Sequence, residues 1–286
     1  MNRIAVVTDS AAALPSELVE EYHIHVVPLL LCWDSQTYRD GVDITASEVY
    51  RRLRRARSLP TTAAPSVGDF LRVYTRLRRE ADSIVSIHVS SKLSATYQAA
   101  RVAGEMMEGT VPVWVIDTGT AAMGQGFAVL AAARAASGGA SLEKVTRQAE
   151  RVSRRTSVLA MLDTLEYLRR SGRVKWAVSL ATSVLSIKPI LCIDGEGVDL
   201  LARPRTQRKA MGVMLQEMER QVGGRPVHVA VMHADASAEA ERLRQEVAAC
   251  FHCLELYVTE FTPVMGSATG PGLVGLAFYS EDSVVQ

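Results

Sequence analysis

Short apolar runs alternate with helical stretches along the first half of the chain. Ile4-Ala-Val-Val-Thr8 ends in Asp9-Ser10, and a helix-like stretch begins near Pro15-Ser16-Glu17. Ser83-Ile-Val-Ser-Ile-His-Val89 ends in Ser90-Ser91 before a helical pattern from Ala95 to Met107. Val113-Trp-Val-Ile116 ends in Asp117-Thr118 before an Ala-rich helix from Gly126 to Ala136. Apolar runs of strand length separated by helices predict βαβ units and a buried parallel sheet. Ligands of such sheets sit beyond the carboxyl ends of the strands. Here those ends carry hydroxyls and carboxylates, and the helices that follow supply unpaired N–H groups and a positive dipole end, which suit an anion.

Between the first two units lies the arginine-rich stretch from Tyr50 to Pro60, then Thr61-Thr62-Ala-Ala-Pro65-Ser66. Pro65 biases Ala64 towards extended backbone, so this stretch is expected to be a loop, with Ser66 capping a helix from Asp69 to Arg79. Gly138-Gly139 breaks the Ala-rich helix, and another runs from Ser141 and Lys144 to about Arg155. The domain boundary is placed after it, giving residues 1–157 as a parallel α/β domain and 158–286 as a mixed α/β domain. The second domain is expected to hold a helix near Thr164 to Arg170 and another near 176–184. A strand from Pro189 to Ile193 should turn at Asp194-Gly-Glu-Gly197 into a partner from Val198 to Ala202, a hairpin. A helix from Thr206 to Val222, a strand from Val227 to Met232, a helix from Ala236 to Ala249 and a strand from Leu254 to Glu260 follow. A loop from Thr262 to Pro271 and a last strand from Leu273 to Tyr279 end the pattern.

Composition narrows the function. The formal net charge is +1, so nucleic acid has no global electrostatic attraction to this chain and none is expected as a partner. The strongest apolar run, Val26 to Cys32, is strand-sized and far short of the roughly 18 residues that cross a bilayer. The N-terminus lacks the apolar region and cleavage site of a signal peptide. Four scattered cysteines do not make a disulfide framework. A soluble, cytoplasmic protein is expected.

Several motifs carry possible chemistry. Asp117-Thr118-Gly119-Thr120 matches the aspartic protease signature, but that reaction needs two carboxylates sharing a proton; one copy followed by helix is a strand-end turn. Cys250-Phe-His-Cys253 is a lone C-x-x-C, short of a zinc set, and is expected to be a pair of buried thiols. Arg51-Arg52-Leu-Arg54-Arg55-Ala-Arg57 at helical spacing is a cationic face that can touch anionic lipid or an acidic partner transiently. There is no G-x-x-x-x-G-K-S/T phosphate loop and no G-x-S-x-G elbow for Ser94. The hydroxyl-rich segments around Thr62 and Ser94 read, each alone, as caps and turns.

Taken in order, these segments resemble the DegV family of fatty-acid-binding proteins. Thr8-Asp9-Ser10 with Leu14-Pro15 is similar to the family's opening, and Thr62-Ala-Ala-Pro65-Ser66 to its Thr-Ser-Gln-Pro-Ser loop. Ser90-Ser91-Lys-Leu-Ser94-Ala95-Thr96-Tyr97 is similar to Ser-Ser-x-Leu-Ser-Gly-Thr-Tyr. Ile116-Asp117-Thr118 with Gly124-Gln-Gly126, Leu165-Glu-Tyr-Leu168 with Ser171-Gly-Arg173, and Lys188-Pro189-Ile-Leu191 continue the match. Gly195, Gly197 and Arg203-Pro-Arg205 extend it, and Gly270-Pro271-Gly272 with Gly275 closes it. The resemblance implies a DegV-like α/β fold with a parallel-sheet first domain, a mixed second domain and a lipid pocket between them. It implies that the Thr62 and Ser94 hydroxyls and the Ala95 N–H hold a fatty acid carboxylate. Arg173 and Arg205 match positions near the head group or on a partner-docking face. It further implies a lipid-binding role with no catalytic residue, no metal and no cofactor besides the bound long-chain fatty acid. The partner implied is a separate fatty acid kinase that forms an acyl phosphate for phospholipid synthesis. A stand-alone lipid carrier or sensor, or a small hydrolase using Ser94, are the other readings. Two positions depart from the family: its glycine after the binding serine is Ala95, and its closing histidine is Ala268. By the resemblance that histidine orients the carboxylate network, and His233 or His88 are the other imidazoles to consider.

Overall fold

The computed structural model describes residues 3–56, 58–174, 177, 187–195 and 197–281. It divides into two compact units, Met1–Ile44 with Pro60–Arg154, and Thr45–Leu59 with Arg155–Gln286. The contiguous division at 157 and 158 differs from this mainly in residues 45–59, which group with the second unit.

In chain order, the first half carries β1 (Ile4–Asp9), α1 (Ser16–Glu21), β2 (His25–Val27), β3 (Leu30–Trp33) and β4 (Gln36–Arg39). There follow α2 (Ala46–Leu53), β5 (Thr61–Ala63), α3 (Val67–Leu77), β6 (Ser83–His88), α4 (Thr96–Glu105), β7 (Val113–Asp117), α5 (Met123–Ser137) and α6 (Leu142–Arg155). In the first unit the strands β2-β1-β6-β7 form a parallel sheet, and β4-β3-β5 an antiparallel one. Every residue of β6 is buried, as a parallel strand covered on both faces requires. The apolar run from Val26 to Cys32 is split by Pro28, which has no N–H to give a ladder. Its first part pairs with β1 and its second with β4 and β5.

Ser66 caps α3 as expected. Its hydroxyl accepts the Asp69 N–H at 3.2 Å, and the Asp69 carboxylate accepts the Ser66 N–H at 2.7 Å, a reciprocal capping box. The aromatic residues Phe70 and Tyr74 and the apolar Leu77 of α3 meet Val7, Ile84, Ala100 and Ala103 in a closed core. The Ala-rich α5 is buried from Met123 to Leu130, so it shows no apolar stripe. Gly126 permits this: a Cβ there would come within 3.0 Å of the Ala12 carbonyl oxygen.

The expected loop from Tyr50 to Ser66 is partly regular. Residues 46–53 are helical, with Thr45 accepting the Glu48 N–H, and Thr61–Ala63 form β5. Arg51 and Arg52 hide an amphipathic spacing whose apolar members Val49, Tyr50 and Leu53 are buried.

The second unit carries β8 (Ser157–Met161), α7 (Glu166–Ser171), β9 (Ile190–Asp194), β10 (Gly197–Ala202) and α8 (Gln207–Val222). It continues with β11 (Val227–His233), α9 (Ser237–Cys250), β12 (Cys253–Glu260), α10 (Pro263–Thr269) and β13 (Val274–Ser280). Its mixed sheet has the order β10-β9-β8-β13-β11-β12, with β11 and β12 parallel and the other neighbours antiparallel. Methionines 211, 214 and 218 of α8 and Leu243 and Val247 of α9 pack with Val229, Val231, Leu276 and Phe278. The helix expected near 176–184 lies outside the described residues, save Ala177.

The stretch from Thr262 to Pro271 is a helix for most of its length. Pro263 starts it, where a missing N–H costs nothing. Its small residues read as a loop, yet they allow close packing. Tyr50 donates to the Phe261 carbonyl at 3.1 Å, and a Cβ at Gly266 would overlap the Tyr50 ring. Gly270, at φ +83°, lies against the Tyr167 ring, where a Cβ would come within 2.2 Å.

One polar chain runs through the core of the first unit. The Tyr74 hydroxyl donates to Ser86 Oγ at 2.8 Å. Ser86 Oγ lies 2.7 Å from His88 Nε2, and His88 Nδ1 lies 2.8 Å from Asp9 Oδ2. The Asp9 carboxylate can only accept, so His88 Nδ1 carries the hydrogen that meets it, and Ser86 Oγ links Nε2 to the Tyr74 hydroxyl. Burial pushes the Tyr74 pKa up, keeping the phenol a donor. Asp9, Ser86 and His88 are each 0% exposed. The order Ser-His-Asp resembles a hydrolase triad, but Ser86 has no access to a substrate.

Two outcomes follow from this packing. Ser86→Ala strands the Tyr74 hydroxyl and His88 Nε2 in the core and should cost about 2–4 kcal/mol, seen as a lower urea midpoint with an unchanged m-value. Gly270→Ala combines a left-handed φ with overlap on Tyr167 and should cost about 2–4 kcal/mol, seen as a lower Tm.

Candidate functional site

The segment after β6 is held by successive backbone N–H groups. Val89 donates to Asp9 Oδ2 at 3.1 Å, Ser90 to the Thr120 carbonyl at 2.8 Å, and Ser91 to Asp117 Oδ1 and Oδ2 at 3.2 and 3.3 Å. Leu93 and Ser94 then donate to the Ser90 carbonyl at 2.9 and 3.1 Å. The chain is thereby turned into α4 with Ser94 and Ala95 at its entrance.

Ser94 is half-buried. Its Oγ lies 2.7 Å from Thr96 Oγ1 and accepts the Thr96 N–H at 3.3 Å. Ala95 is exposed and makes no side-chain cap. The N–H groups of Ala95, Tyr97 and Gln98 have no acceptor among the described residues. Donors at the positive end of a helix dipole, beside a hydroxyl, form a receptor for one anionic group. Ser94 has no basic partner among the described residues, so nothing there activates it as a nucleophile.

Thr62 lies in the middle of β5, in register with the buried Leu31. Strand alternation turns it away from the exposed face of Thr61 and Ala63. Ser94, Ala95 and Thr62 all belong to the first unit. Arg173 and Arg205 belong to the second. Arg173 follows Gly172, which ends α7 in the left-handed region at φ +69°. Its Nη1 lies 3.4 Å from the Ser171 carbonyl, and desolvation lowers its pKa from the ordinary value, although a guanidinium stays cationic. Arg205 is exposed just before Thr206, the N-cap of α8, and has no partner among the described residues.

Ala268 is half-buried on α10. His88 does not replace the family's histidine, because both its ring nitrogens are engaged inside the first unit. His233 ends β11, buried, with Nδ1 3.5 Å from the Ala236 N–H; burial lowers its pKa, opposed by the nearby Glu260 and Asp235 carboxylates.

The remaining motifs resolve structurally. Asp117 is the strand-end turn expected of it, accepting the Gly119 N–H at 2.9 Å as well as Ser91. The C-x-x-C thiols are not buried: Cys250 is exposed and Cys253 half-buried. No group of three or more His, Cys, Asp or Glu side chains among the described residues is placed to hold a metal ion. On α2, Arg52 pairs with Glu48 and Arg54, just beyond its end, with Asp235, while Arg51 and Arg55 are exposed; Arg57 lies outside the described residues. No described helix is long and apolar enough to cross a membrane. The sequence pattern does not mark Asp9 and His88 as anchors of this loop. Their positions at the carboxyl ends of neighbouring strands were the available signal.

Known proteins share this architecture over nearly its whole length. The family described as "Uncharacterised protein, DegV family" matches residues 3–281. A DegV domain-containing protein of Streptomyces coelicolor is 38% identical over 283 residues, covering 97% of this chain and 99% of that protein. A Thermus thermophilus DegV family structure, described by its fatty acid binding, superposes with a TM-score of 0.91 at 36% identity, covering 98% of this chain and all of that one. The Bacillus subtilis DegV structure, described as a fatty acid binding protein, gives 0.89 at 31% identity and covers 98% of this chain and 100% of its own. The fold, the loop motifs and these matches agree that the chain belongs to the DegV family.

Proposed function

We propose that this protein binds one long-chain fatty acid with its carboxylate at the start of α4. The observation that carries this reading is the set of Ala95, Tyr97 and Gln98 N–H groups, without an acceptor among the described residues, beside the Ser94 hydroxyl. A carboxylate leaving water costs several kcal/mol unless it is hydrogen-bonded, and charge-assisted bonds from such donors offset that cost. Thr62 is assigned as a second hydroxyl to the same head group. The acyl tail supplies the drive: about 15 buried methylenes at roughly 0.8 kcal/mol each give on the order of 12 kcal/mol before association costs. The Thermus and Bacillus relatives, described as binding fatty acid, support the ligand class.

The finer reading is that the bound acid is presented to a separate fatty acid kinase, which phosphorylates it to an acyl phosphate for phospholipid synthesis. This rests on the family resemblance, and a cytoplasmic location, where ATP is available, is proposed with it. Arg173 and Arg205 serve as cationic positions for the head group or for kinase docking, and the exposed Arg51 and Arg55 support transient contact with an anionic membrane surface. A stand-alone carrier differs only in lacking the kinase; a kinase assay with and without this chain separates the two.

Organic extraction of the purified protein followed by mass spectrometry should release a stoichiometric fatty acid. No acid in the extract, and no binding of added palmitate or oleate, would remove the proposal. Thr62→Ala combined with Ser94→Ala should weaken palmitate binding by more than about tenfold, since each hydrogen bond to a charged group contributes roughly 1.5–3 kcal/mol. Unchanged affinity places the head group elsewhere.

A further inference from the structure

We infer that Asp9 and Asp117 are positioning residues for the anion receptor at the start of α4, an inference that rests on the fatty acid reading. Neither touches the head group in this scheme. Each holds one end of the short segment that delivers Ser94 and Ala95.

Asp9, at the end of β1, accepts three donors: the Ala11 N–H at 3.0 Å on Oδ1, and the His88 Nδ1–H at 2.8 Å and the Val89 N–H at 3.1 Å on Oδ2. Asp117, at the end of β7, accepts Ser91 on both oxygens and Gly119 on Oδ1. The strands β1 and β7 flank β6 on either side. The segment leaving β6 is therefore pinned at Val89 from one neighbour and at Ser91 from the other, with the Ser90 N–H fixed on the Thr120 carbonyl between them. His88 adds a second tie, because its carbonyl accepts both the N–H and the hydroxyl of Thr118, at 3.1 and 2.8 Å.

The chemistry of both anchors is acceptor-only. An alanine at position 9 or 117 removes every acceptor there and frees the pinned backbone N–H, whereas an asparagine carbonyl in place of Asp117 Oδ1 would still accept both Ser91 and Gly119. Coulomb's law predicts the opposite sign. A carboxylate close to an anion receptor repels the anion, so neutralising it should improve binding if charge alone mattered. Positioning and electrostatics thus push affinity in opposite directions.

The test uses the full chain and two probes, palmitate and its uncharged analogue 1-hexadecanol, on wild type, Asp9→Ala and Asp117→Ala. Palmitate affinity is expected to fall by about tenfold or more in each folded variant, the loss of one bond to a charged group. Hexadecanol affinity should fall by much less, because the tail's burial is untouched. Equal losses for both probes mean general loosening and overturn the inference, as does palmitate affinity that holds or rises. Should Asp9→Ala fail to fold because its site is fully buried, Asp117→Ala at the half-buried site decides by the same ratio. Wild-type protein that binds neither probe refutes the fatty acid reading itself, a result visible before any variant is compared.

Discussion

A carboxylate sealed from water survives folding only if donors surround it. Asp9 is 0% exposed and meets this condition with an imidazole N–H and two backbone N–H groups. The tips of β1 and β6 are tied by this requirement, and the Tyr74–Ser86–His88 chain satisfies the polar groups behind it. The same carboxylate sets the path of the backbone as it leaves the sheet. The path set by a buried, hydrogen-bonded carboxylate thus ends in a turn where the Ala95, Tyr97 and Gln98 N–H groups have no acceptor among the described residues.

That contrast separates support from function. The Tyr74, Ser86 and His88 polar groups in the core are paired with one another and with Asp9. At the entrance to α4 the Ala95, Tyr97 and Gln98 N–H groups are left over, as every helix start leaves some. What makes this start different from a solvated helix end is the fixed approach of the chain and the Ser94 hydroxyl beside it. The same geometry argues against hydrolysis: Ser94 meets another hydroxyl rather than a base, and the buried Ser86 that does meet a histidine has no path to a substrate.

The second unit is built by a different economy of small residues. Gly266 and Gly270 let α10 lie against Tyr50 and Tyr167, and Tyr50 comes from α2, a segment far away in sequence. The alanine at 268 belongs to this tightly packed helix. Its arginines leave α2 amphipathic: one face enters the unit's core, and the other keeps Arg51 in solvent.

The alternation of apolar runs and helical segments determined by itself the parallel sheet, the mixed second half and most element positions, because strand and helix periods are local properties of the chain. The family was legible too, since its loop motifs are short contiguous strings such as Ser90 to Tyr97 and Thr62 to Ser66. Ser94 and Ala95 could be named as site residues on that basis. Tertiary structure alone decided that α2 joins the second unit, which sheet takes each part of the apolar run that Pro28 interrupts, and that the Pro- and Gly-rich stretch after Phe261 is helical. In each case long-range packing outweighed local propensity. It also decided the roles of Asp9, His88 and Asp117, whose partners lie up to 80 residues away along the chain; no local pattern records which backbone N–H a distant carboxylate will meet.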